Sequence, residues 1–146
     1  MKGITLVPAT TDDAQLLFKW VNAQDSLINR EKSAEPIDWE THIDWLDRNL
    51  SNPDFHLFLL SAGGGPIGQL RLQPTTEGYE VDIYVTPPNR RSGIAKQALS
   101  RAIAMLTHSP LIARIKVDNR ASKRLFESVG FVEVSRDEKI AMYRVE

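Results

Sequence analysis

The sequence predicts a single α+β domain, spanning residues 1–146, with a mostly antiparallel sheet. Three observations lead to this fold class. The chain has 146 residues, which is the size of one domain. Its middle third contains three β-rich runs separated by Gly- and Pro-rich breaks, as in an antiparallel meander. The thirds on either side combine amphipathic helical repeats with short β-rich runs, so helices and strands alternate along one chain.

The first third is predicted to form a strand and two helices. GITLVPA favours a strand, and TTDDAQLLFKWVN favours a helix capped by Thr10 or Thr11, with Leu17 and Trp20 in its apolar stripe. IDWETHIDWLDRNL repeats the helical pattern, and Asp38 is its expected cap.

The rest of the chain is predicted to complete the order β-α-α-β-β-β-α-β-α-β-β. The meander runs lie at 55–60, 67–72 and 79–85. They are followed by a helix, the strand LIARIKV, a second helix closed by Gly130, and two final strands. The pattern therefore predicts about seven strands in a twisted sheet, flanked by about four helices.

The composition excludes several classes of function. Eighteen basic and 19 acidic side chains almost cancel, so a nucleic-acid partner is not expected. The absence of cysteine excludes disulfides and thiolate chemistry. His42, His56 and His108 are too scattered to predict a metal site. No apolar run approaches the roughly 20 residues of a membrane span, so we expect no membrane partner and a soluble, cytoplasmic protein.

The junction YVTPPNRRSGIAKQAL carries the first functional signal. The first N–H groups of a helix have no partner within it and carry the positive end of its dipole, so they bind anions. Gly93 removes a Cβ at the start of this helix, and Arg90, Arg91 and Lys96 add positive charge around it. These features suit a pyrophosphate.

Two prolines add a second signal at the same place. Pro87 and Pro88 cannot donate to a strand ladder, so we expect them to end pairing beyond Thr86 and to leave backbone groups free. An extended ligand with amides could then lie beside the strand. Phosphates at a helix start and an amide-bearing arm along a strand describe coenzyme A.

The junction resembles the acetyl-CoA binding motif of the GNAT N-acetyltransferases. The pattern Arg/Gln-x-x-Gly-x-Gly/Ala is met by Arg90, Gly93 and Ala95. VDNRASKRLFESVGFVEV is similar to the family's second motif. Over essentially the whole chain, the resemblance implies the GNAT fold, acetyl-CoA as co-substrate, and direct transfer of an acetyl group to a primary amine.

The resemblance also implies a cofactor site. Backbone amides from Arg91 to Lys96 would hold the pyrophosphate, Asn119 would lie near the pantetheine arm, and the thioester would lie near 83–85. The residues expected to bind the cofactor are Ile83, Tyr84, Val85, Arg90, Arg91, Ser92, Gly93, Ile94, Ala95, Lys96, Asn119, Ser122 and Phe126.

Candidate catalytic residues come from the strand YEVDIYV. Glu80, Asp82 and Tyr84 share one face by the two-residue period, so Asp82 or Glu80 could take a proton from the amine, directly or through water. A solvated sheet face remains the alternative. The N–H of Val85 is the expected donor to the developing oxyanion.

The general acid is left open by the sequence. At the position of Phe126, many family members have a tyrosine that is placed to protonate the leaving thiolate. In this chain Tyr84 or Tyr143 could supply that proton instead. Alternatively no acid is needed, because a thiolate with a thiol pKa of roughly 8.5 is a tolerable leaving group.

The N-terminal half is expected to bind the acceptor. It resembles the GNAT branch that acetylates amino-sugar nucleotides in bacterial pseudaminic and legionaminic pathways, although Val21 replaces an arginine common there. The matching residues are Trp20, Asn22, Ser33, Ile37, Trp39, His42 and Trp45. His42 could be a catalytic base or a structural residue.

Other acceptors and roles remain open. The acceptor could be an amino acid, a protein N-terminus or another small amine, and a non-catalytic CoA-binding module is the alternative from another class. A homodimer is also left open.

Overall fold

The computed structural model describes residues 3–23 and 35–146. Within these ranges the chain forms seven strands and four α-helices, as predicted. The strands are β1 (Thr5–Pro8), β2 (His56–Ser61), β3 (Pro66–Thr75), β4 (Gly78–Val85), β5 (Leu111–Lys116), β6 (Val132–Arg136) and β7 (Ile140–Val145). The helices are α1 (Ala14–Val21), α2 (Trp39–Leu50), α3 (Ile94–Met105) and α4 (Arg120–Ser128). None of the helices in the described ranges has the length and apolar character needed to cross a bilayer.

All seven strands join one sheet in the order β1-β2-β3-β4-β5-β7-β6. The β4–β5 pair is parallel and every other pair is antiparallel. The parallel pair follows from the connection between the two strands. α3 carries the chain back to the end of the sheet at which β4 began, so β5 runs in the same direction as β4. The mixed α+β architecture predicted from the sequence is confirmed.

The helix caps follow the local sequence. Thr10 and Asp13 form a capping box around the short 3₁₀ turn Thr11–Asp13, from which α1 continues. The Asp38 side chain accepts the N–H of Thr41 at the start of α2. The predicted caps at Thr10 and Asp38 are confirmed, and they fix where both N-terminal helices begin.

The sheet separates two apolar cores. One core packs α3 and α4 against one face of the sheet, with Leu70, Leu72 and Val81 facing it. The other core packs α1 and α2 against the opposite face, with Leu57 and Leu59 facing it. Residues directly opposite each other in an antiparallel pair share a face, so the register of β2, β3 and β4 determines which side chains each pair of helices meets.

β4 and β5 separate soon after they pair. Their register contains only Tyr79 with Leu111 and Glu80 with Ile112. On its other edge β4 stays paired with β3 as far as Val85, and the N–H of Thr86 still donates to the Ile67 carbonyl at 2.9 Å.

This pairing confirms one part of the expectation for the prolines and corrects another. On the β3 side, pairing ends beyond Thr86 and Pro87 begins a 3₁₀ turn, as predicted. On the β5 side, β4 loses its partner after Glu80, well before Pro87, so the prolines do not open that edge. Because hydrogen-bond directions alternate along a strand, Ile83 and Val85 direct their backbone groups toward the edge that β5 has left.

Asn22 connects the end of α1 to the residue before the cap of α2. Its Nδ2 donates to the Ile37 carbonyl at 2.8 Å, and its Oδ1 accepts the Ile37 N–H at 2.7 Å. These two bonds hold the ends of the segment between the helices together. Ser33, which belongs to the acceptor-side resemblance, lies outside the described residues.

We expect Gly68→Ala to destabilise the protein by about 1–3 kcal/mol, the usual cost of overpacking a close-packed site. Gly68 lies opposite Val85, and a Cβ there would overlap the Tyr84 carbonyl oxygen and approach the Val85 Cα to 3.1 Å. Urea unfolding measures the loss. The matched control is Gly64→Ala, where a Cβ meets nothing within 4 Å and the stability should stay within error. Equal stability of both variants would contradict the close packing of β3 on β4.

Candidate active site

A cleft of about 850 Å³ runs through the sheet where β4 and β5 separate. On one side it reaches the start of α3, and on the other it reaches α1 and α2. Residues from both halves of the chain therefore line one space, including Trp20, His42, Asp82, Ala95 and Asn119.

The loop before α3 presents backbone amides to this cleft. Arg91 and Gly93 have φ angles of 60° and 83°, in the left-handed region. Gly93 is the N-cap of α3 and makes no side-chain capping bond. The first bond of the helix runs from the Gln97 N–H to the Gly93 carbonyl, so the helix itself leaves the amides of Ile94, Ala95 and Lys96 without a partner.

This loop fits a diphosphate group. The exposed side chains of Arg91 and Lys96 surround the unused amides, which carry the positive end of the helix dipole. Ser92 does not line the cleft, since it is exposed and its hydroxyl donates to the Asn89 carbonyl at 2.6 Å. At this turn, the backbone amides rather than the serine hydroxyl are the groups suited to bind an anion.

Arg90 fastens the loop to the end of β4. Its Nε donates to the Val85 carbonyl at 2.7 Å, and its guanidinium lies 5.4 Å from the centre of the Tyr84 ring. The sequence indicated only a positive charge near phosphates. In the structure, Arg90 also sets the distance between the loop and the strand.

α4 completes the same side of the cleft. Asn119 caps this helix by accepting the Ser122 N–H at 3.2 Å, and both residues line the cleft. Phe126 also lines it, and its ring packs edge-to-face on Phe131 with the centres 5.0 Å apart. No group at position 126 can donate a proton.

Asp82 is the candidate base that faces the cleft. It accepts a hydrogen bond from Gln69 Nε2 at 2.9 Å. Glu80 lies on the same face but outside the cleft lining, 3.6 Å from Arg114 Nε in a partly exposed ion pair. The structure therefore brings Asp82, and not Glu80, into the cleft.

The two candidate acids lie on opposite faces of the sheet. Tyr84 lines the cleft beside Trp20, with the ring centres 5.8 Å apart. Tyr143 lies opposite Ala113 in the α3/α4 core, only 3% exposed and outside the cleft lining. Burial and nearby Glu127 and Glu133 raise the pKa of Tyr143.

His42 is buried at the edge of the cleft, with 4% of its surface exposed. Its Nε2 donates to the Ala14 carbonyl at 3.1 Å, because a carbonyl can only accept. The other ring nitrogen is therefore unprotonated in the neutral residue. Burial lowers the pKa of His42, so it stays neutral near pH 7.

The three tryptophans of the acceptor side occupy different surroundings. Trp20 and Trp45 line the cleft, whereas Trp39 is 40% exposed and packs on Phe18 outside the cleft lining. Trp45 contacts His42 and Phe55, with ring centres 6.4 and 5.8 Å away.

The sequence profile of the acetyltransferase (GNAT) domain family matches residues 4–132. The chain belongs to the GNAT acetyltransferase family. Family membership makes it an acetyl-CoA dependent N-acetyltransferase, with acetyl-CoA as co-substrate, and sets aside a non-catalytic binding module. A comparison of the sequence with curated proteins gave no significant match.

Solved GNAT structures share the fold over nearly the whole chain. An acetyltransferase from Thermus thermophilus is 25% identical, with a TM-score of 0.80 and 99% of each chain covered. A spermidine N-acetyltransferase from Vibrio cholerae, in complex with CoA and spermine, is 15% identical, with a TM-score of 0.82 and coverage of 97% and 94%. A putative acetyltransferase from Salmonella typhimurium, with its cofactor acetyl-CoA, is 17% identical, with a TM-score of 0.80 and coverage of 98% and 93%. These comparisons support the GNAT family and not its narrower amino-sugar nucleotide branch.

The cleft of this GNAT enzyme contains most of the expected residues, together with others that the sequence did not indicate. Every residue predicted to bind the cofactor lines it except Ser92, and Asp82, Tyr84 and His42 line it as well. Gln69 and Arg71 were missed, although their alternation in the strand IGQLRL places them on one face.

We expect Gly93→Glu to abolish measurable binding of acetyl-CoA, because a carboxylate would enter the anion site at the start of α3. Isothermal titration calorimetry measures the affinity. The matched control is Gly63→Glu, which places the same residue at a similar φ of 86° in the β2–β3 hairpin, where a Cβ meets nothing within 4 Å. Binding by the Gly93 variant as tight as by the Gly63 variant would exclude this loop as the diphosphate site.

We also expect His42 to make stability depend on pH. Its folded pKa lies below the ordinary value of 6.5, so the unfolded chain binds the proton more readily and stability falls as the pH drops through that value. The free energy of urea unfolding should therefore decrease more between pH 7.5 and 5.5 in the wild type than in His42→Gln, which keeps a donor for the Ala14 carbonyl. Exposed His108→Gln is the control and should keep the wild-type dependence. The same pH dependence in the His42 variant would refute the lowered pKa.

Proposed function

We propose that this enzyme acetylates the primary amine of a small acceptor by direct transfer, and that an amino-sugar nucleotide is the acceptor. The observation that carries the proposal is the continuous cleft, which joins the amides at the start of α3 to an aromatic pocket containing Asp82. One ligand entering from each side would place an amine beside a thioester at the gap between β4 and β5.

The backbone of β4 supports this assignment. When bound, acetyl-CoA supplies an acetyl thioester. The Val85 N–H is directed toward the gap, so it is suited to donate to the negative charge that develops on a carbonyl oxygen there. Arg90 holds the Val85 carbonyl, which keeps this end of the strand in place.

Asp82 is the proton acceptor in this proposal. Its carboxylate lies in the cleft, and the bond from Gln69 fixes its orientation while leaving lone pairs to accept from an amine or a bridging water. Tyr84, two residues further along the strand, is the only tyrosine among the described residues lining the cleft and is the candidate to protonate the leaving thiolate. Release without an acid is the alternative.

The charges of the cleft favour an acceptor that carries an anionic group. Asp82 is the only acidic residue among the described residues that line it. Of the six basic ones, Arg90, Arg91 and Lys96 belong to the cofactor loop. The other three are Arg71, Lys116 and Arg114, and Arg114 is paired with Glu80. A polycation such as the spermine bound by the Vibrio cholerae enzyme would meet repulsion here.

Aromatic residues complete the acceptor pocket. Trp20, Trp45 and Tyr84 can pack against a sugar ring or a nucleobase. These features support an amino-sugar nucleotide, with an amino acid or a protein N-terminus as the alternative. We place the reaction in the cytoplasm, and a homodimer stays a prediction.

The proposal is tested by incubating the enzyme with acetyl-CoA and a panel of amines and following thiol release. The panel contains UDP-linked 4-amino sugars, amino acids, peptides with free N-termini, and spermidine. Fastest turnover of the UDP-linked amines supports the proposal. Preference for spermidine, or no turnover of any UDP-linked amine, would overturn the assigned acceptor.

We expect Asp82→Asn to lower kcat by about 10²- to 10⁴-fold, the usual contribution of a positioned general base, with little change in acetyl-CoA affinity. Steady-state kinetics and calorimetry measure the two quantities. Asp44→Asn, on the exposed face of α2, is the control and should match the wild type. A kcat for the Asp82 variant within threefold of the wild type would remove Asp82 from this role.

A further inference from the structure

Arg71 projects into the acceptor side of the cleft from the middle of β3. It lies directly opposite Leu57 on one neighbouring strand and Asp82 on the other. Its chain neighbours Leu70 and Leu72 are fully buried in the α3/α4 core. The Arg71 side chain therefore points to the α1/α2 face, away from the amides at the start of α3.

The guanidinium of Arg71 has no counter-ion among the residues that the structure describes. Its Nε is inaccessible to solvent and has no hydrogen-bond partner. Among the described residues, the Arg71 side chain forms no hydrogen bond and no ion pair, and its one polar contact is with the ring of Trp45, 5.5 Å from the guanidinium carbon. Asp82, although directly opposite, is bonded to Gln69 instead.

An unpaired buried donor on a charged group is costly, because it has lost water and gained no acceptor. Arg144 gives a comparison within this chain. Its Nε is also buried without a partner, but its Nη2 lies 2.6 Å from a Glu146 carboxylate oxygen. Arg71 has no such partner in the described residues, so an anionic group of a bound ligand would supply the missing acceptor and stabilise the guanidinium.

We propose that Arg71 binds an anionic group of the acceptor, while Asp82 receives its amine. This assignment rests on the proposed function and narrows its substrate class to amines that also carry a carboxylate or a phosphate. The planar guanidinium fork matches both groups through paired hydrogen bonds. The phosphates of coenzyme A are not the source of the anion, because their site lies on the other face of the sheet.

Contacts with neighbouring aromatic residues position the Arg71 side chain for this role. The guanidinium carbon of Arg71 lies over the Trp45 ring in a cation–π contact, and Trp45 is itself packed against Phe55 and His42. A cation–π contact uses no hydrogen-bond donor, so the N–H groups of the guanidinium stay available to a ligand. Directly opposite residues have Cβ atoms about 4.5–5.5 Å apart, so the amine and anion subsites are neighbours and a compact acceptor can reach both.

The test compares paired acceptors that differ in one anionic group. The pairs are glucosamine 6-phosphate with glucosamine, phenylalanine with phenylalaninamide, and a UDP-linked 4-amino sugar with the free sugar. Arg71→Gln should raise KM for the preferred anionic acceptor about 10- to 100-fold, the loss of one charged hydrogen-bonded contact, and leave KM for its neutral partner within twofold. Arg71→Lys should recover part of the loss.

Two controls separate recognition from folding. Exposed Arg101→Gln on α3 removes one charge elsewhere and should leave both KM values unchanged. Arg71→Gln should unfold at the same temperature as the wild type or higher, because it removes an unpaired charge. Equal KM increases for anionic and neutral acceptors would overturn the proposal and indicate a structural role.

A binding measurement tests Arg71 without turnover. The enzyme is first saturated with coenzyme A, which blocks the diphosphate site, and then titrated with UDP or with N-acetylphenylalanine. Binding that Arg71→Gln weakens at least tenfold supports the anion subsite. Tighter binding of UDP would identify phosphate as the preferred group, and tighter binding of N-acetylphenylalanine would identify carboxylate. Absence of binding, or binding that does not depend on Arg71, overturns it. Failure of the proposed function gives a different result, since the UDP-linked amines would then release no thiol, or release it more slowly than spermidine does, whatever the result of this titration.

Discussion

β4 and β5 pair at only two positions, and the space that opens beyond them determines where ligands and catalytic groups can lie. β3 continues to support β4 on its other edge, so β4 remains a regular strand while one row of its backbone groups faces the gap. A sheet closed along its whole length would separate the start of α3 from Asp82 completely. Because it opens here, the two helical layers share one cleft.

Each layer performs a different task. On the α3/α4 side, the groups suited to bind an anion are backbone amides at a helix start, so anion binding there would depend little on the identity of the side chains. On the α1/α2 side, aromatic and charged side chains such as Trp45, Arg71 and Asp82 form the pocket. In the proposed function, acceptor selectivity would therefore depend on side chains, and cofactor binding on the path of the main chain.

The sequence predicted the parts of the structure that local patterns encode. Element order, the caps at Thr10 and Asp38, and the helix start after Gly93 follow from periodicity and turn chemistry. Features that depend on strand register could not be predicted from the sequence. The faces of Tyr143 and Arg71 relative to the cleft depend on pairing with β5 and β4. Pro87 and Pro88 do follow the end of β3–β4 pairing, but the earlier separation of β4 from β5 after Glu80 was not predicted.

The double hydrogen bond between Asn22 and Ile37 joins the two helices of the acceptor side at one point. Asn22 directly follows α1, and Ile37 directly precedes the cap of α2, so one side chain and one backbone unit link the end of the first helix to the start of the second. A substitution at Asn22 would therefore be felt at both helices at once, and with them at Trp20 and Trp45, which line the acceptor pocket from one helix each.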